Sequence, residues 1–239
     1  MDNDSDLYLR IREKEGRRHS DEAVGHLPDV PSDHPLRVEW QARTASAKRL
    51  LAYLARLPKP MTLLDLGCGN GWLANQVASV AGVQVAGVDR NRVELEQAAR
   101  VFGGNQRARF IAADIFSAPF PPRSFNLVLI ASAIQYFADL PELIRALKLL
   151  LKPTGEAHIM DSPLYRPAEL AAARERTRLY YEQLGFPSMA GQYHHHTFAS
   201  LDPFCPARLY DPQPWAVRLR RAWGAVESPF PWIRLRPPF

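Results

Sequence analysis

The chain has 239 residues, of which 46% are apolar and 23% are charged, a balance typical of a folded protein with a sizeable core. Its two cysteines exclude a disulfide framework and a zinc-ligand spacing, and we expect no metal site. No apolar run approaches the roughly 20 residues that span a bilayer, and the charged first residues contain no apolar segment typical of a secretory signal. We therefore expect a cytoplasmic protein without a membrane span.

The formal net charge of +5 raises the question of a nucleic-acid partner. The arginines are scattered, and acidic residues dilute the basic run near the start of the chain. A late cluster at Arg218, Arg220 and Arg221, followed by Arg234 and Arg236, carries no aromatic-interleaved RNA-binding pattern. A solvated basic face is the favoured interpretation, and nucleic acid is the less favoured partner.

Residues 1–60 are predicted to form an arm and a covering helix. Apolar residues recur at helical spacing from Leu36 to Leu57, and this helix is expected to cover the sheet edge or the ligand cleft. Arg43, three residues after Trp40, could reach the carboxylate of a ligand. The alternative is an exposed arginine beside a buried tryptophan.

The most informative segment is an apolar strand, residues 63–66, that leads into a loop with glycines at 67, 69 and 71. Glycines at alternate positions let the backbone turn sharply and bring its N–H groups against a ligand. A dinucleotide-binding loop has the spacing G-x-G-x-x-G, whereas here the third glycine comes one residue early and Trp72 takes the sixth position. The spacing favours a different nucleoside ligand. Cys68 is expected to be a small residue beneath that ligand rather than a nucleophile.

Two further apolar strands end at carboxylates. Residues 83–88 lead to Asp89, about 20 residues after the loop, where an acidic side chain can accept both ribose hydroxyls of a nucleoside. Residues 108–113 lead to Asp114. Asn91 and Asp139 each precede a glutamate by three residues, a spacing that begins helices. The alternation of strands with helices predicts parallel pairing and a ligand beyond the carboxyl ends of the strands.

The pattern Asp65-x-Gly67-x-Gly69-x-Gly71, with the strands that follow it, resembles the class I S-adenosylmethionine-dependent methyltransferases, with a methyltransferase type 11/25-like domain, over about residues 60–162. The resemblance implies an α/β, Rossmann-like three-layer sandwich with a mostly parallel seven-stranded sheet and an antiparallel last strand. It also implies S-adenosyl-L-methionine as cofactor, with Asp114 on the adenine amino group and Ile115 against the ring. The implied cofactor-binding residues are Asp65, Gly67, Cys68, Gly69, Gly71, Asp89, Arg90, Asp114, Ile115 and Ala131.

The later elements continue the resemblance. Residues 125–132 correspond to the family's fourth strand, in which Asn126 replaces the commoner aspartate at a position away from the expected cleft. Gln135 and Tyr136 follow this strand where related enzymes place side chains facing the transferable methyl group, so we expect them to line the substrate pocket. Residues 149–161 match the family's helix, Lys-Pro-x-Gly turn and fifth strand.

The organisation beyond the core is predicted from local pattern. Residues 61–162 are expected to form the cofactor-binding core, and residues 163–239 a substrate helix and loop with the last strands of the same domain. A helix is predicted over 167–184, a shorter one over 215–223, and strands over 207–210 and 232–235.

Three consecutive histidines, His194, His195 and His196, follow the longer helix. A metal site would need a further ligand in compatible geometry, and is disfavoured. The favoured functional interpretation is a general base that deprotonates a hydroxyl acceptor, because histidine titrates near neutrality. A packing or surface role stays open.

The resemblance predicts an enzyme that methylates a small molecule by in-line transfer. Orientation alone contributes about 7–11 kcal/mol in such reactions, while a general base adds about 3–5 kcal/mol, so no catalytic base is required and none is assigned. One alternative is an RNA methyltransferase, although residues 131–134 are Ala-Ser-Ala-Ile rather than Asn-Pro-Pro-Tyr. The other is an inactive, cofactor-binding regulatory or scaffold protein.

Overall fold

A mixed sheet of seven strands forms the centre of the protein in a computed structural model that describes residues 3–117, 120–224 and 226–237. The strands lie in the order β3-β2-β1-β4-β5-β7-β6. The first five are parallel, and β7 runs antiparallel to both of its neighbours. The strands are β1 (Met61–Leu66), β2 (Val83–Asp89), β3 (Ala108–Ala112), β4 (Phe125–Ala131), β5 (Leu151–Met160), β6 (Ala207–Tyr210) and β7 (Trp232–Leu235).

The helices cover both faces of this sheet, which confirms the predicted Rossmann-like sandwich with an antiparallel last strand. No helix in the described ranges combines the length and apolarity needed to cross a bilayer. The helices of the described residues are α1 (Asn3–Lys14), α2 (Asp21–His26), α3 (Arg37–Ala55), α4 (Trp72–Ala78), α5 (Arg92–Phe102), α6 (Leu140–Leu150), α7 (Leu170–Leu184) and α8 (Trp215–Ala222).

The core has two layers because side chains alternate across each strand. In β4, Leu127 and Leu129 pack into the layer beneath α3 and α4. Val128 and Ile130, from the same strand, pack into the layer beneath α6. All four are completely buried, as expected for a parallel strand that is covered on both faces.

The predicted helix starts of α5 and α6 are confirmed. Asn91 accepts a hydrogen bond from the backbone N–H of Glu94 at 3.2 Å, and Asp139 accepts one from Glu142 at 2.8 Å. These caps satisfy N–H groups that lack a partner within the helix. They fix where each helix leaves the loop after a strand.

The predicted Lys-Pro-x-Gly turn differs from the structure, because these residues lie inside β5. The pairing of β5 with β4 shifts between Phe125 and Leu127, and this irregularity absorbs the extra residues. A side chain at Gly155 would come within 3.2 Å of the backbone oxygen of Asn126, so the two strands approach too closely for a larger residue. The side-chain oxygen of Asn126 accepts hydrogen bonds from Thr62 N–H and Lys152 Nζ, both at 2.9 Å.

A buried polar network joins β5, β7 and α3. His158 is fully buried, and its Nδ1 accepts a hydrogen bond of 2.8 Å from the Trp232 indole N–H. Because the indole only donates, His158 Nε2 carries the proton and donates to Glu156 at 3.0 Å. Arg236 and Tyr53 also donate to Glu156. Against the effect of burial, these hydrogen bonds lower the pKa of Glu156 to about 2.

Replacing Trp232 with phenylalanine should destabilise the fold by about 1–3 kcal/mol, because it leaves the buried Nδ1 of His158 without a donor. The measurement is urea unfolding followed by circular dichroism. Trp223→Phe is the matched control, since Trp223 is 80% exposed. Equal losses in the two variants would contradict a stabilising role for the buried hydrogen bond.

Candidate functional site

A cleft of about 1410 Å³ opens at the carboxyl ends of the parallel strands. This volume exceeds the roughly 300–1,000 Å³ of a pocket for one small ligand, so two molecules fit side by side. Residues of α1, α3 and α7 form its walls. The predicted site residues that line it are Asp65, Gly67, Cys68, Gly69, Asp89, Arg90, Asp114, Ile115, Ala131, Gln135, Tyr136 and His194.

The glycine loop forms the floor of the cleft. Gly67 has a φ of +77°, and a Cβ there would lie 2.5 Å from the Cβ of Ala133. The N–H groups of Gly67 and Cys68 both donate to the Val88 carbonyl, at 2.8 and 3.1 Å. The loop is therefore folded tightly against the ends of β2 and the segment after β4.

Gly71 packs against neighbouring elements, and its expected contact with the ligand stays a prediction. It precedes α4 with a φ of +75°, and a Cβ there would lie 2.4 Å from the ring of Phe110. Any side chain would separate α4 from β3. Gly71 lies outside the cleft lining, and its absent side chain serves helix packing.

Asp89 connects the end of β2 to the glycine loop. Its two oxygens accept backbone N–H groups of Gly69 and Asn91, each at 2.9 Å. Burial raises the pKa of Asp89 in spite of these hydrogen bonds. Each carboxylate oxygen has a second lone pair, so the side chain can hold the loop and accept further donors from a ligand.

Two more carboxyl groups lie close to Asp89. Asp65 is 2% exposed, and its Oδ2 has no hydrogen-bond partner. Burial, reinforced by the charge of Asp89, raises the pKa of Asp65 to about 7. Burial likewise raises the pKa of Glu94 to about 7, although Arg12 lies 3.9 Å away. This end of the cleft is thus suited to a cationic ligand group.

Asp114 and Ile115 lie at the end of β3, at the rim of the same region. Asp114 Oδ1 accepts the backbone N–H of Phe116 at 3.0 Å, and Arg90 Nε lies 3.9 Å from Oδ2. Ile115 is buried, whereas Phe116 is about half exposed. The segment therefore combines a carboxylate with an apolar surface, and its contact with an adenine ring stays a prediction.

Ser132 and Asp161 end β4 and β5 side by side, and both have a positive φ, +56° and +49°. Ser132 Oγ donates to the Asp161 carbonyl at 3.0 Å. The Asp161 carboxylate accepts from Ser46 and Ser228, at 2.6 and 2.9 Å. Left-handed backbone in non-glycine residues is strained and concentrates at functional sites. Sequence reasoning missed both as site residues, although their positions at strand ends were a signal.

Helix α1 covers the cleft, which the sequence did not reveal. Its Tyr8 ring lies 5.9 Å from the Tyr136 ring in an edge-to-face arrangement, and Arg12 lies beside Glu94. Ile11 is buried against Tyr181 of α7 and against Met189. The spacing of the apolar residues in α1 indicates a packed face, but their partners are distant in sequence.

A cluster of aromatic rings lies at the wall of the cleft. Tyr193 contacts the rings of Tyr136 and Tyr181, both at 6.4 Å between centroids. His195, which lies outside the cleft lining, extends this cluster, with its ring 5.2 Å from that of Tyr193 and 5.4 Å from that of Tyr165. The rings come from α1, α7 and three separate loops, so only the folded chain brings them together.

The three histidines separate into different roles. His194 lines the cleft, and its N–H donates to the Gln135 carbonyl at 2.7 Å. His195 and His196 lie outside the cleft lining, and their contact with a substrate stays a prediction. His195 Nε2 is 2.9 Å from the Thr177 hydroxyl. His196 is buried, with Nε2 at 3.1 and 2.9 Å from the carbonyls of residues 134 and 137, which fixes the loop after β4.

Arg43 faces the cleft from α3, beside the buried Trp40. Its guanidinium lies 5.3 Å from the Trp40 ring centroid and 2.9 Å from Glu39. Arg17 also pairs with Glu39, at 2.5 Å. Arg43 is therefore part of an ion-pair cluster at the cleft wall. Its contact with a ligand carboxylate stays a prediction.

Comparison with known proteins identifies a family from the sequence and a shared fold from the structure. Residues 57–199 match the family described as a methyltransferase domain. The 27-O-demethylrifamycin SV methyltransferase of Amycolatopsis mediterranei is 33% identical over 48% of this chain and 44% of its own length. The demethylmenaquinone methyltransferase of Chlorobaculum tepidum is 28% identical over 67% of this chain and 62% of its own. The chain thus spans about half the length of the curated relatives it matches.

Among solved structures, the geranyl diphosphate C-methyltransferase of Streptomyces coelicolor A3(2), in complex with Mg²⁺, geranyl diphosphate and S-adenosyl-L-homocysteine, superposes with a TM-score of 0.56. The alignment covers 88% of each chain at 13% identity, so it establishes the fold alone. The match over residues 57–199 spans more than half of the chain. The chain therefore belongs to the methyltransferase-domain family, and its resemblance to the class I S-adenosylmethionine-dependent methyltransferases is confirmed.

Proposed function

We propose that the protein transfers a methyl group from S-adenosyl-L-methionine to an apolar, ring-containing small molecule. The observation that carries this proposal is the cleft itself, which combines buried carboxylates and a glycine loop with a cluster of tyrosines. The relatives named above act on a demethylmenaquinone and a demethylrifamycin, which supports an acceptor of this class.

The residues at the carboxylate end fit the cofactor. The unpartnered Oδ2 of Asp65 would accept a hydrogen bond from the cofactor's ammonium group, which compensates its buried charge. Asp89 would accept the ribose hydroxyls while it holds Gly69. Asp114 and Ile115 would meet the adenine ring. When bound, the cofactor supplies a methyl group on a sulfonium whose thioether is the leaving group.

The protein's contribution is orientation and exclusion of water. Helix α1 closes the cleft above the carboxylates through Tyr8 and Arg12. Tyr136 and Tyr193 present ring edges and faces on which a planar acceptor can stack. Gln135 is buried with its Oε1 unpartnered, so it can accept a hydrogen bond from a donor group on the acceptor. Holding the reacting groups in this way accounts for about 7–11 kcal/mol of barrier reduction.

Calorimetric titration with S-adenosyl-L-methionine, S-adenosyl-L-homocysteine and NAD tests the cofactor assignment. We expect micromolar binding of both sulfur nucleosides and none of NAD. Incubation with methyl-labelled cofactor and extracted apolar metabolites then tests transfer. Transfer of label to RNA alone would support the RNA methyltransferase alternative, and binding without any transfer would support the regulatory one.

Asp89→Ala should weaken binding of S-adenosyl-L-homocysteine about ten- to a hundredfold, because it removes charged hydrogen bonds to the ribose. The same calorimetric titration measures the effect, with circular dichroism to establish that the variant is folded. Asp202→Ala, which removes a carboxylate outside the cleft lining, is the control. Unchanged affinity in a folded Asp89→Ala protein would exclude the ribose assignment.

The raised pKa of Asp65 predicts a pH-dependent stability. With a folded pKa of about 7 and an unfolded pKa of about 4, the folded protein holds a proton that the unfolded chain has lost between these values. Stability from this group is therefore lost as pH rises from about 4 to about 7. Asp65→Asn removes the titration.

Between pH 5 and pH 8, the stability of ligand-free Asp65→Asn relative to the natural protein should rise by about 2–3 kcal/mol. Urea unfolding at the two pH values measures this difference, and Asp202→Asn controls for the loss of one negative charge. The variant should also bind S-adenosyl-L-homocysteine more weakly. A stability difference that is the same at both pH values would show that Asp65 is ionised in the folded protein.

A further inference from the structure

Helix α8 exposes an apolar stripe that has no partner among the described residues. Trp215 is 76% exposed, Leu219 is 40% exposed, and Trp223, directly after the helix, is 80% exposed. Positions four residues apart lie on one face of a helix, so these three side chains form a continuous strip, here called the α8 stripe. Val217 lies on the opposite side and is 6% exposed, which anchors the helix to the protein.

The segment that carries the α8 stripe is cationic in sequence. Residues 212–226 contain no aspartate or glutamate, and the sequence places Arg218, Arg220 and Arg221 among the apolar positions. Tryptophan and leucine on one face of a short cationic helix are characteristic of segments that lie in the interface of an anionic bilayer. A tryptophan suits this depth because its ring is apolar and its N–H remains near water.

The position of the α8 stripe relates it to the cleft. After Trp223 the chain returns to the cleft wall, where Val226 and Phe230 line the cavity. Val226 is itself 37% exposed. A surface that contacts the stripe would therefore lie beside the wall of the cleft.

We propose that the α8 stripe docks the protein onto the surface of an anionic phospholipid bilayer. Trp215, Leu219 and Trp223 insert to the level of the headgroups, and the arginine-rich, acid-free segment adds attraction to anionic lipids, which strengthens with each cationic residue near the surface. Docking in this position gives the cleft direct access to apolar molecules dissolved in the bilayer. The surface contact is independent of the proposed methyl transfer, so the two can fail separately.

Cosedimentation with vesicles of phosphatidylglycerol and phosphatidylcholine tests this proposal. The protein should bind these vesicles, bind pure phosphatidylcholine more weakly, and be released by high salt. The double variant Trp215→Ser, Trp223→Ser should bind at least about tenfold more weakly, because each substitution removes a ring whose apolar surface the bilayer would bury. Leu149→Ser is the matched control, since Leu149 is 67% exposed on α6, away from the stripe, and its binding should be unchanged.

Tryptophan fluorescence provides a second measurement that needs no variant. Trp40, Trp72 and Trp232 are each less than 9% exposed, so an aqueous quencher reaches mainly Trp215 and Trp223. Anionic vesicles should protect this quenchable emission and shift it to shorter wavelength.

Calorimetric titration with S-adenosyl-L-homocysteine should give the same affinity for the double variant as for the natural protein.

Three results would overturn the proposal. Absence of cosedimentation in both vesicle types is one, and binding that the double variant retains in full is another. The third is protection of the two exposed tryptophans from the quencher when the protein concentration is raised without vesicles, together with a dimer in sedimentation equilibrium. That result would assign the α8 stripe to an interface between two copies of the chain.

Discussion

The parallel register of β1, β2, β4 and β5 is the constraint on which the rest of the structure depends. Leu66 pairs with Val88, and Ala131 with Met160, so all four strands end at the same edge of the sheet. The glycine loop comes directly after β1, Asp89 is the last residue of β2, and Asp161 comes directly after β5. Because backbone pairing sets their positions, side chains that are up to about 100 residues apart in sequence converge without contacts of their own.

This convergence places negative charge where water is excluded. Asp65, Asp89 and Glu94 all have a raised pKa because burial disfavours the charged form. Such a group of carboxyls is stable only when it is partly protonated, neutralised or hydrogen-bonded. Arg12 from α1 supplies one positive charge at 3.9 Å from Glu94. In the proposed function, a cationic cofactor supplies another positive charge. Cofactor binding and the packing of α1 over the cleft would therefore both stabilise these carboxylates.

The tyrosine cluster at the cleft wall is assembled by packing between separate elements. Tyr8, Tyr136, Tyr181 and Tyr193 come from α1, the segment after β4, α7 and the loop before the histidines. These elements lie outside the sheet, where chain length and helix placement can change without disturbing strand pairing. Under the proposed function, the strand ends would hold the cofactor, and the added elements would shape the space for an acceptor.

The sequence by itself determined the sheet, the helix starts and the glycine loop, because these depend on local patterns. Apolar runs predicted the strands, Asn91 and Asp139 predicted the helix starts, and the glycine spacing predicted the loop. Tertiary structure alone decided that Gly71 packs against Phe110, that His196 bonds to backbone carbonyls, and that α1 closes the cleft. Each of these depends on a partner distant in sequence, whose approach is set by packing of the whole chain rather than by the residues beside it.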